Sequence, residues 1–72
     1  MATFSERLKE LRRDKGVTQL FMANYLEIRE RSYQMYEYGK REPKHAAMIK
    51  LADYFDVSLD YIVGRSENPK RE

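Results

Sequence analysis

Cysteine and tryptophan are absent from this 72-residue chain, and it has only three glycines and two prolines. Without cysteine, neither a disulfide nor a thiolate metal site can stabilise the fold. No apolar run approaches the ~18 residues of a membrane-spanning helix, and the N-terminal stretch MATFSERLKE has no apolar signal segment. We therefore expect one small cytoplasmic domain, with no membrane contact, that is stabilised by helix packing alone.

Patterns typical of catalysis are also missing. The chain has a single histidine, His45, and its carboxylates are spread along predicted helix faces. No glycine-rich phosphate-binding loop occurs. Because no second metal ligand is in view, we expect His45 to be a half-buried packing residue instead of a ligand. The sequence thus predicts a protein that is not an enzyme and has no cofactor or metal.

Five short segments have apolar residues at helical spacing, and none alternates as a strand would. They cover about residues 4–14, a stretch after Thr18, about 30–38, about 44–55, and a short stretch between Ser58 and Gly64. The predicted fold class is all-α, with residues 1–65 as the domain and residues 66–72 as a frayed polar tail. The expected core positions are Phe4, Leu8, Leu11, Met22, Ala23, Leu26, Met48, Leu51, Ala52, Phe55, Leu59, Ile62 and Val63.

The segment 18–37 has the layout of a helix-turn-helix, two short helices joined by a tight corner. At about 100° per residue, the second helix places Tyr33 and Tyr36 on one face. Arg31 and Met35 lie about 160–200° from Tyr33, on the opposite face. Such a helix can bury its phenol rings and enter the major groove of DNA with the other face. An ordinary solvated face is the alternative.

Side chains on this outer face suit the edges of DNA bases. Arg31 can donate two parallel hydrogen bonds to guanine or clamp a phosphate, and Gln34 can offer a donor and an acceptor to adenine. Met35 can contact a thymine methyl group. Glu30 can accept a hydrogen bond from cytosine or simply hold Arg31 in place. The candidate base-reading residues are therefore Glu30, Arg31, Gln34 and Met35.

Basic side chains collect within and after the proposed reading helix. Residues 29–44 hold five basic and three acidic side chains, whereas residues 45–64 hold one and three. This asymmetry suits a protein with one face toward phosphates, although a mixed solvated surface would give it too. The candidate phosphate contacts, each of which can equally be plain surface, are Gln19, Arg29, Lys40, Arg41 and Lys44.

Four motifs together resemble the phage-repressor and Cro class of helix-turn-helix proteins, the XRE family: FSERLKELRRDKGVTQ, MANYL, RSYQMYEYGKREP and IKLADYFDVSLDYIVGR. The last two look especially like regulators from Gram-positive bacteria and their phages. The resemblance, which covers about residues 4–65, implies a five-helix, lambda-repressor-like domain. It also implies binding to a double-stranded DNA operator as a homodimer that represses or activates transcription, and repression is the effect that we expect. The chain can also be the reading domain of a longer repressor.

The resemblance assigns roles to individual residues. It places the family's backbone-contacting glutamine at Gln19 and its base-reading positions at Glu30, Arg31, Gln34 and Met35. A partly buried ion pair, Arg12 with Glu37, is implied between the first and third helices. The implied dimer contacts are Val57, Leu59 and Ile62.

The chain departs from the family pattern at four places. Glu27 replaces the usual turn glycine, Arg29 replaces the usual serine or threonine cap, and His45 replaces an apolar residue. Leu20 and Phe21 occupy positions that are normally polar, where we expect them to cover helix 1 or 3 partially, with a partner-protein contact as the alternative. A second hypothesis is therefore a protein-interaction module, such as an antitoxin-like subunit, in which DNA binding is secondary.

Overall fold

The computed structural model describes residues 2–71, which form five α-helices and no strand. The all-α class is therefore confirmed for this part of the chain. Compared with the predictions, α1 ends one residue later, α3 ends one residue earlier and α4 begins one residue later. The helices are α1 Phe4–Lys15, α2 Gln19–Leu26, α3 Glu30–Glu37, α4 His45–Phe55 and α5 Leu59–Ile62.

Side chains cap the starts of three helices. Thr3 and Glu6 form the predicted capping box of α1, because the Thr3 hydroxyl accepts from the Glu6 amide and Glu6 Oε1 accepts from the Thr3 amide. Thr18 caps α2 and Ser58 caps α5, each accepting from the backbone amide three residues on at 3.0 Å. Arg29 precedes α3 without any side-chain cap, as its sequence position predicts.

The corner between α2 and α3 turns at Glu27, which adopts the left-handed conformation with φ 59°. A residue with a Cβ is less stable there by about 1 kcal/mol relative to glycine. The Ile28 amide donates to the Ala23 carbonyl at 2.9 Å and closes the end of α2. The corner predicted at Glu27 is thus formed despite the missing glycine.

All five helices contribute buried residues to the core, in which α3 packs on α1 and α2, and α1 also packs on α4 and α5. Most predicted core positions are buried or packed against the core. Leu59 is an exception: its side chain is 39% exposed, because the four-residue α5 directs Ile62 inward and leaves its first residue at the surface. His45 is exposed as well, so its predicted half-buried packing role is wrong. It is the first residue of α4, and the buried Pro43 lies two residues before it.

The tail is not frayed over residues 66–71, where it folds back on the domain. Arg7, itself buried, donates to the carbonyls of Tyr61 and Ser66 at 3.1 and 3.4 Å. The Ser58 amide donates to the Pro69 carbonyl at 3.0 Å. Backbone and guanidinium donors thus replace the apolar contacts that the tail's sequence lacks. The first and last residues, included in the predicted domain and tail, lie outside the described part.

Candidate nucleic-acid interface

Helix α3 packs against α2 and α1, and this contact decides which of its faces is free. The rings of Tyr33 and Tyr36 are buried with their centroids 6.2 Å apart in an edge contact. Arg31 is exposed on the opposite face, and Glu30 is exposed as the first residue of the helix. The orientation predicted from helical angles is confirmed, because the phenol rings lie inside and the guanidinium lies in solvent.

The outer face of α3 is not uniformly exposed. Gln34 and Met35 are half-buried, so the thioether is more recessed than the angular argument predicts. No ion pair within residues 2–71 joins Glu30 to Arg31, and the two side chains are therefore not locked together. The face combines two free charged groups at its start with a recessed amide and thioether one turn later.

Exposed cations lie at both ends of α3. Arg29 occupies the position before its first turn, and the loop that follows α3 leads to Lys44, which precedes α4. All four of the basic side chains proposed to meet phosphates are exposed: Arg29, Lys40, Arg41 and Lys44. Positive charge at both ends of a helix with an exposed face is suited to the phosphate backbones that border a DNA groove.

Gln19 differs from these candidates because its side chain is directed inward. The buried Glu37 carboxylate accepts from Arg12 Nε at 2.5 Å and from Tyr33 Oη at 2.6 Å. Gln19 Nε2 donates to the same carboxylate at 3.1 Å, and its own Oε1 accepts from Gln34 Nε2 at 3.2 Å. The predicted ion pair of Arg12 and Glu37 is thus the centre of a network that links α1, α2 and α3. No pattern in the sequence indicates the Gln19 and Gln34 contacts, because they depend on the tertiary approach of α2 to α3.

The network fixes the protonation states of its members. Burial favours a higher pKa for Glu37, but hydrogen bonds from Arg12, Tyr33 and Gln19 outweigh it and hold the pKa below its usual value. Burial and the bond to Glu37 raise the pKa of Tyr33. The hydrogen bond to Glu37 likewise raises the pKa of Arg12. At neutral pH, Glu37 is therefore an ionised acceptor surrounded by protonated donors.

Two of the three predicted dimer contacts are wrong for this structure. Val57 and Ile62 are buried in the core of a single copy, so they have no surface to offer a second one. Leu59 is exposed, and Ile49 of α4 is exposed beside the same shallow recess. Ile49 was missed because the predicted inner face of α4 left it on the solvent side as an isolated apolar residue.

Leu20 and Phe21 form an exposed apolar surface on α2, with exposed fractions of 51% and 44%. The ring of Phe21 lies 5.8 Å from that of Tyr54 in α4, and Tyr25 lies 5.0 Å from the same ring. The predicted exposed patch at Leu20 and Phe21 therefore extends further than the sequence indicated, onto tyrosines of two helices. The sequence does not predict this contact, because Tyr54 is about 30 residues away and only the fold brings it to α2.

Within residues 2–71, neither a cluster of potential metal ligands nor a membrane-spanning helix is found. No cluster of three or more histidine or acidic side chains there could hold a metal ion. No helix there has both the length and the apolar character to cross a lipid bilayer.

Known proteins match almost the whole chain. The helix-turn-helix family profile matches residues 8–62. YqaE, an uncharacterized HTH-type transcriptional regulator of Bacillus subtilis, is 43% identical over 93% of this chain and 58% of its own length. ImmR, an HTH-type transcriptional regulator of the same organism, is 35% identical over 96% of this chain and 54% of its length. RstR, a cryptic phage CTXphi transcriptional repressor of Vibrio cholerae, is 31% identical over 89% and 58%. The chain thus spans little more than half the length of these relatives.

Solved structures give the same answer for the fold. A transcriptional regulator from Listeria innocua superposes with a TM-score of 0.85 at 28% identity, over 97% of this chain and 65% of that one. The P22 c2 repressor, crystallised with a synthetic operator, superposes with a TM-score of 0.83 over 92% of this chain and 100% of that one. At 17% sequence identity, this superposition supports the shared lambda-repressor-like fold alone. With the family profile covering α2 and α3 entirely, the chain belongs to the XRE-type helix-turn-helix family.

Proposed function

We propose that this chain is a sequence-specific double-stranded DNA-binding regulator that represses transcription by placing α3 in the major groove of its operator. One observation carries the proposal: α3 buries Tyr33 and Tyr36 and leaves Arg31 in solvent between two groups of exposed cations. Relatives named as transcriptional regulators and repressors support the same role. The proposal concerns only the part of those relatives that this chain covers, which is little more than half of their length.

Each side chain of the exposed face has a definite task in this proposal. Arg31 forms two hydrogen bonds to guanine O6 and N7, and Gln34 bonds an adenine edge. Met35 contacts a thymine methyl group, and Glu30 accepts from cytosine N4. Affinity without sequence preference comes from contacts to phosphates, for which the candidates are Arg29, Lys40, Arg41, Lys44 and the backbone amide of Gln19.

The operator complex is proposed to be a homodimer. One helix of eight residues reaches only a few base pairs, so two copies would read half-sites about 34–36 Å apart. The exposed side chains of Leu59 and Ile49 offer an apolar contact between the copies. A small contact of this kind would pair the copies mainly when both are held on DNA.

Fluorescence anisotropy on labelled duplexes, repeated at several salt concentrations, tests DNA binding. We expect affinity to fall steeply with salt, because cations released from phosphates favour binding at low salt. Arg31→Ala should relax base preference and cost about 1–3 kcal/mol on the selected operator. Lys40→Ala should weaken binding to all sequences alike.

Lys70→Ala is the matched control for the removal of a positive charge. Lys70 lies with Asp56 at the C-terminal end of α4, whereas the proposed contact Lys44 precedes the other end of that helix. An eleven-residue helix separates them by about 16 Å. This variant should keep the wild-type salt dependence. A flat salt dependence of the wild type, or an Arg31→Ala variant with intact affinity and specificity, would remove the basis of the proposal.

A protein-interaction module is the second candidate function, favoured by the exposure of Leu20 and Phe21. In that case an antitoxin-like subunit would bind its partner through this surface, and DNA binding would be secondary. Flat salt dependence together with micromolar or weaker DNA binding would favour this role. Phe21→Ser should then abolish partner binding without changing DNA affinity, which calorimetry with a co-purified partner can measure.

A further inference from the structure

Gln34 is joined to the buried Glu37 by a chain of hydrogen bonds that runs through Gln19. Gln34 Nε2 donates to Gln19 Oε1 at 3.2 Å, and Gln19 Nε2 donates to Glu37 Oε1 at 3.1 Å. Both glutamine side chains are half-buried, and Glu37 is buried. A residue of the proposed reading face is therefore connected, through one intervening side chain, to the charged centre of the domain.

The direction of each bond in this chain follows from chemistry. An ionised carboxylate only accepts hydrogen bonds, so Gln19 must turn its NH₂ group toward Glu37. Its carbonyl oxygen then faces Gln34, and it too can only accept. Gln34 must consequently turn its own NH₂ group toward Gln19. Reversing either amide would bring two oxygens together in a half-buried place, which costs the bond and adds repulsion.

One consequence concerns what Gln34 can offer to DNA. With one N–H engaged by Gln19, the side chain retains its carbonyl oxygen and one further N–H. A glutamine without such a partner can rotate its amide and present either end to a base. In this protein the bond to Gln19 fixes the orientation of the Gln34 amide in the absence of DNA.

Building on the function proposed above, we propose that Glu37, acting through Gln19, sets the amide of Gln34 so that its carbonyl oxygen reads the major groove. The base at this position must then carry an amino group, as adenine does at N6 and cytosine at N4. Guanine O6 and thymine O4 would place an oxygen against an oxygen. Adenine is preferred over cytosine, because the remaining N–H of Gln34 can donate to adenine N7. Gln19 and Glu37 are positioning residues for this specificity.

Selection of bound duplexes from a random pool tests the inference with four proteins: the wild type, Gln34→Ala, Gln19→Met and Lys70→Ala. Gln34→Ala identifies the base pair that Gln34 reads, as the position whose preference disappears. At that position the wild type should select adenine or cytosine over guanine or thymine by about tenfold or more. Gln19→Met removes the relay but keeps the side-chain length, and it should reduce that preference to about threefold or less. Lys70→Ala, which lies away from the proposed interface, should leave this preference unchanged.

Anisotropy at several salt concentrations separates the possible failures. Gln19→Met should keep the salt dependence of the wild type, since it removes no charge. Two results would overturn the relay proposal and leave the DNA-binding role standing. In the first, the wild type selects an operator but prefers guanine or thymine at the Gln34 position. In the second, Gln19→Met keeps the full preference of the wild type. If the wild type selects no sequence, both proposals are overturned. Should Gln19→Met not fold, judged by its thermal unfolding, Gln19→Ala removes the same amide and gives the same comparison.

Discussion

At the scale of single residues, Glu37 organises the molecule. Its carboxylate is buried, yet Arg12, Tyr33 and Gln19 satisfy it with hydrogen bonds from three helices. A buried ion pair contributes little net stability over an apolar pair, because both charges lose their hydration. What it contributes here is geometry, since it fixes α3 relative to α1 and α2. Removing one partner is costly, because the other charge is then left uncompensated.

Arg12→Met tests this account of Glu37 through its dependence on pH. At pH 7 the variant should lose about 3–5 kcal/mol of unfolding free energy, measured with urea. In the wild type the pKa of Glu37 is lowered on folding, so this contribution is present above the unfolded pKa and is lost as pH falls through the folded pKa. Without Arg12, burial favours the protonated carboxyl instead, and acid should stabilise the variant relative to pH 7.

The two stability curves should therefore approach each other as the pH is lowered from 7 to below the unfolded pKa of Glu37. Arg13→Met, on an exposed neighbour in α1, is the matched control and should change stability by less than about 0.5 kcal/mol. A constant gap between wild type and Arg12→Met at every pH would mean that Glu37 is not the group responsible.

At the scale of secondary structure, α3 is one of two helices, with α4, that start without a side-chain cap. Its first residue follows Arg29, which makes no capping hydrogen bond, while α1, α2 and α5 have side-chain caps. The free amides at its start carry partial positive charge that phosphates can meet. Under the proposed DNA-binding role, a basic residue at this position gives up local helix stability for attraction to phosphates.

Arg29→Ser should separate these two effects. Serine at the N-cap should raise the unfolding free energy by about 1 kcal/mol, measured with urea. Removal of the positive charge should weaken DNA binding and reduce the salt slope by about 0.9 for each phosphate that the protein no longer neutralises. Lys40→Ser removes a charge of the same sign from the loop and should weaken binding without raising stability. Equal stability changes in the two variants would contradict the capping argument.

Helices were predictable from sequence because their signals are local. The Thr3 and Glu6 capping box and the inward spacing in α2 need no tertiary knowledge. The predictions were wrong where the exposure of a side chain depends on segments that are distant in the sequence. His45 and Leu59 begin their helices, and the local pattern does not state how much of a first turn its neighbours cover. The amide orientations of Gln19 and Gln34 could not be predicted either, because they depend on the contact between α2 and α3.

At the scale of the whole molecule, the tail and the domain form one body over residues 2–71. Gly64, with φ 86°, lies so close to Ala2 that an added Cβ would sit 2.2 Å from the Ala2 carbonyl oxygen. This approach brings the chain after α5 past the start of α1. Arg7 of α1 then donates to the Ser66 carbonyl, and the backbone amide of Ser58, before α5, donates to the Pro69 carbonyl. The sequence suggested a frayed end because the tail is polar, and polar contacts with specific partners leave no periodic signal.

Charge distribution at this scale matters more than its total. The formal net charge is only +2, but the exposed cations proposed to meet phosphates surround α3. The acidic side chains Asp53 and Asp56 lie toward the end of α4 instead, where Arg71 pairs with them. One end of the molecule is thus suited to an anionic partner and the other is not.

Amide shift mapping by NMR during titration with the selected duplex tests the orientation of the whole molecule on DNA most directly. We expect the largest shifts at residues 29–35 and 40–44, with smaller shifts at the start of α2 and almost none at residues 53–56 and 67–71. Shifts centred on the end of α4 and the tail, with residues 29–35 unmoved, would contradict the claim that α3 is the helix that enters the groove.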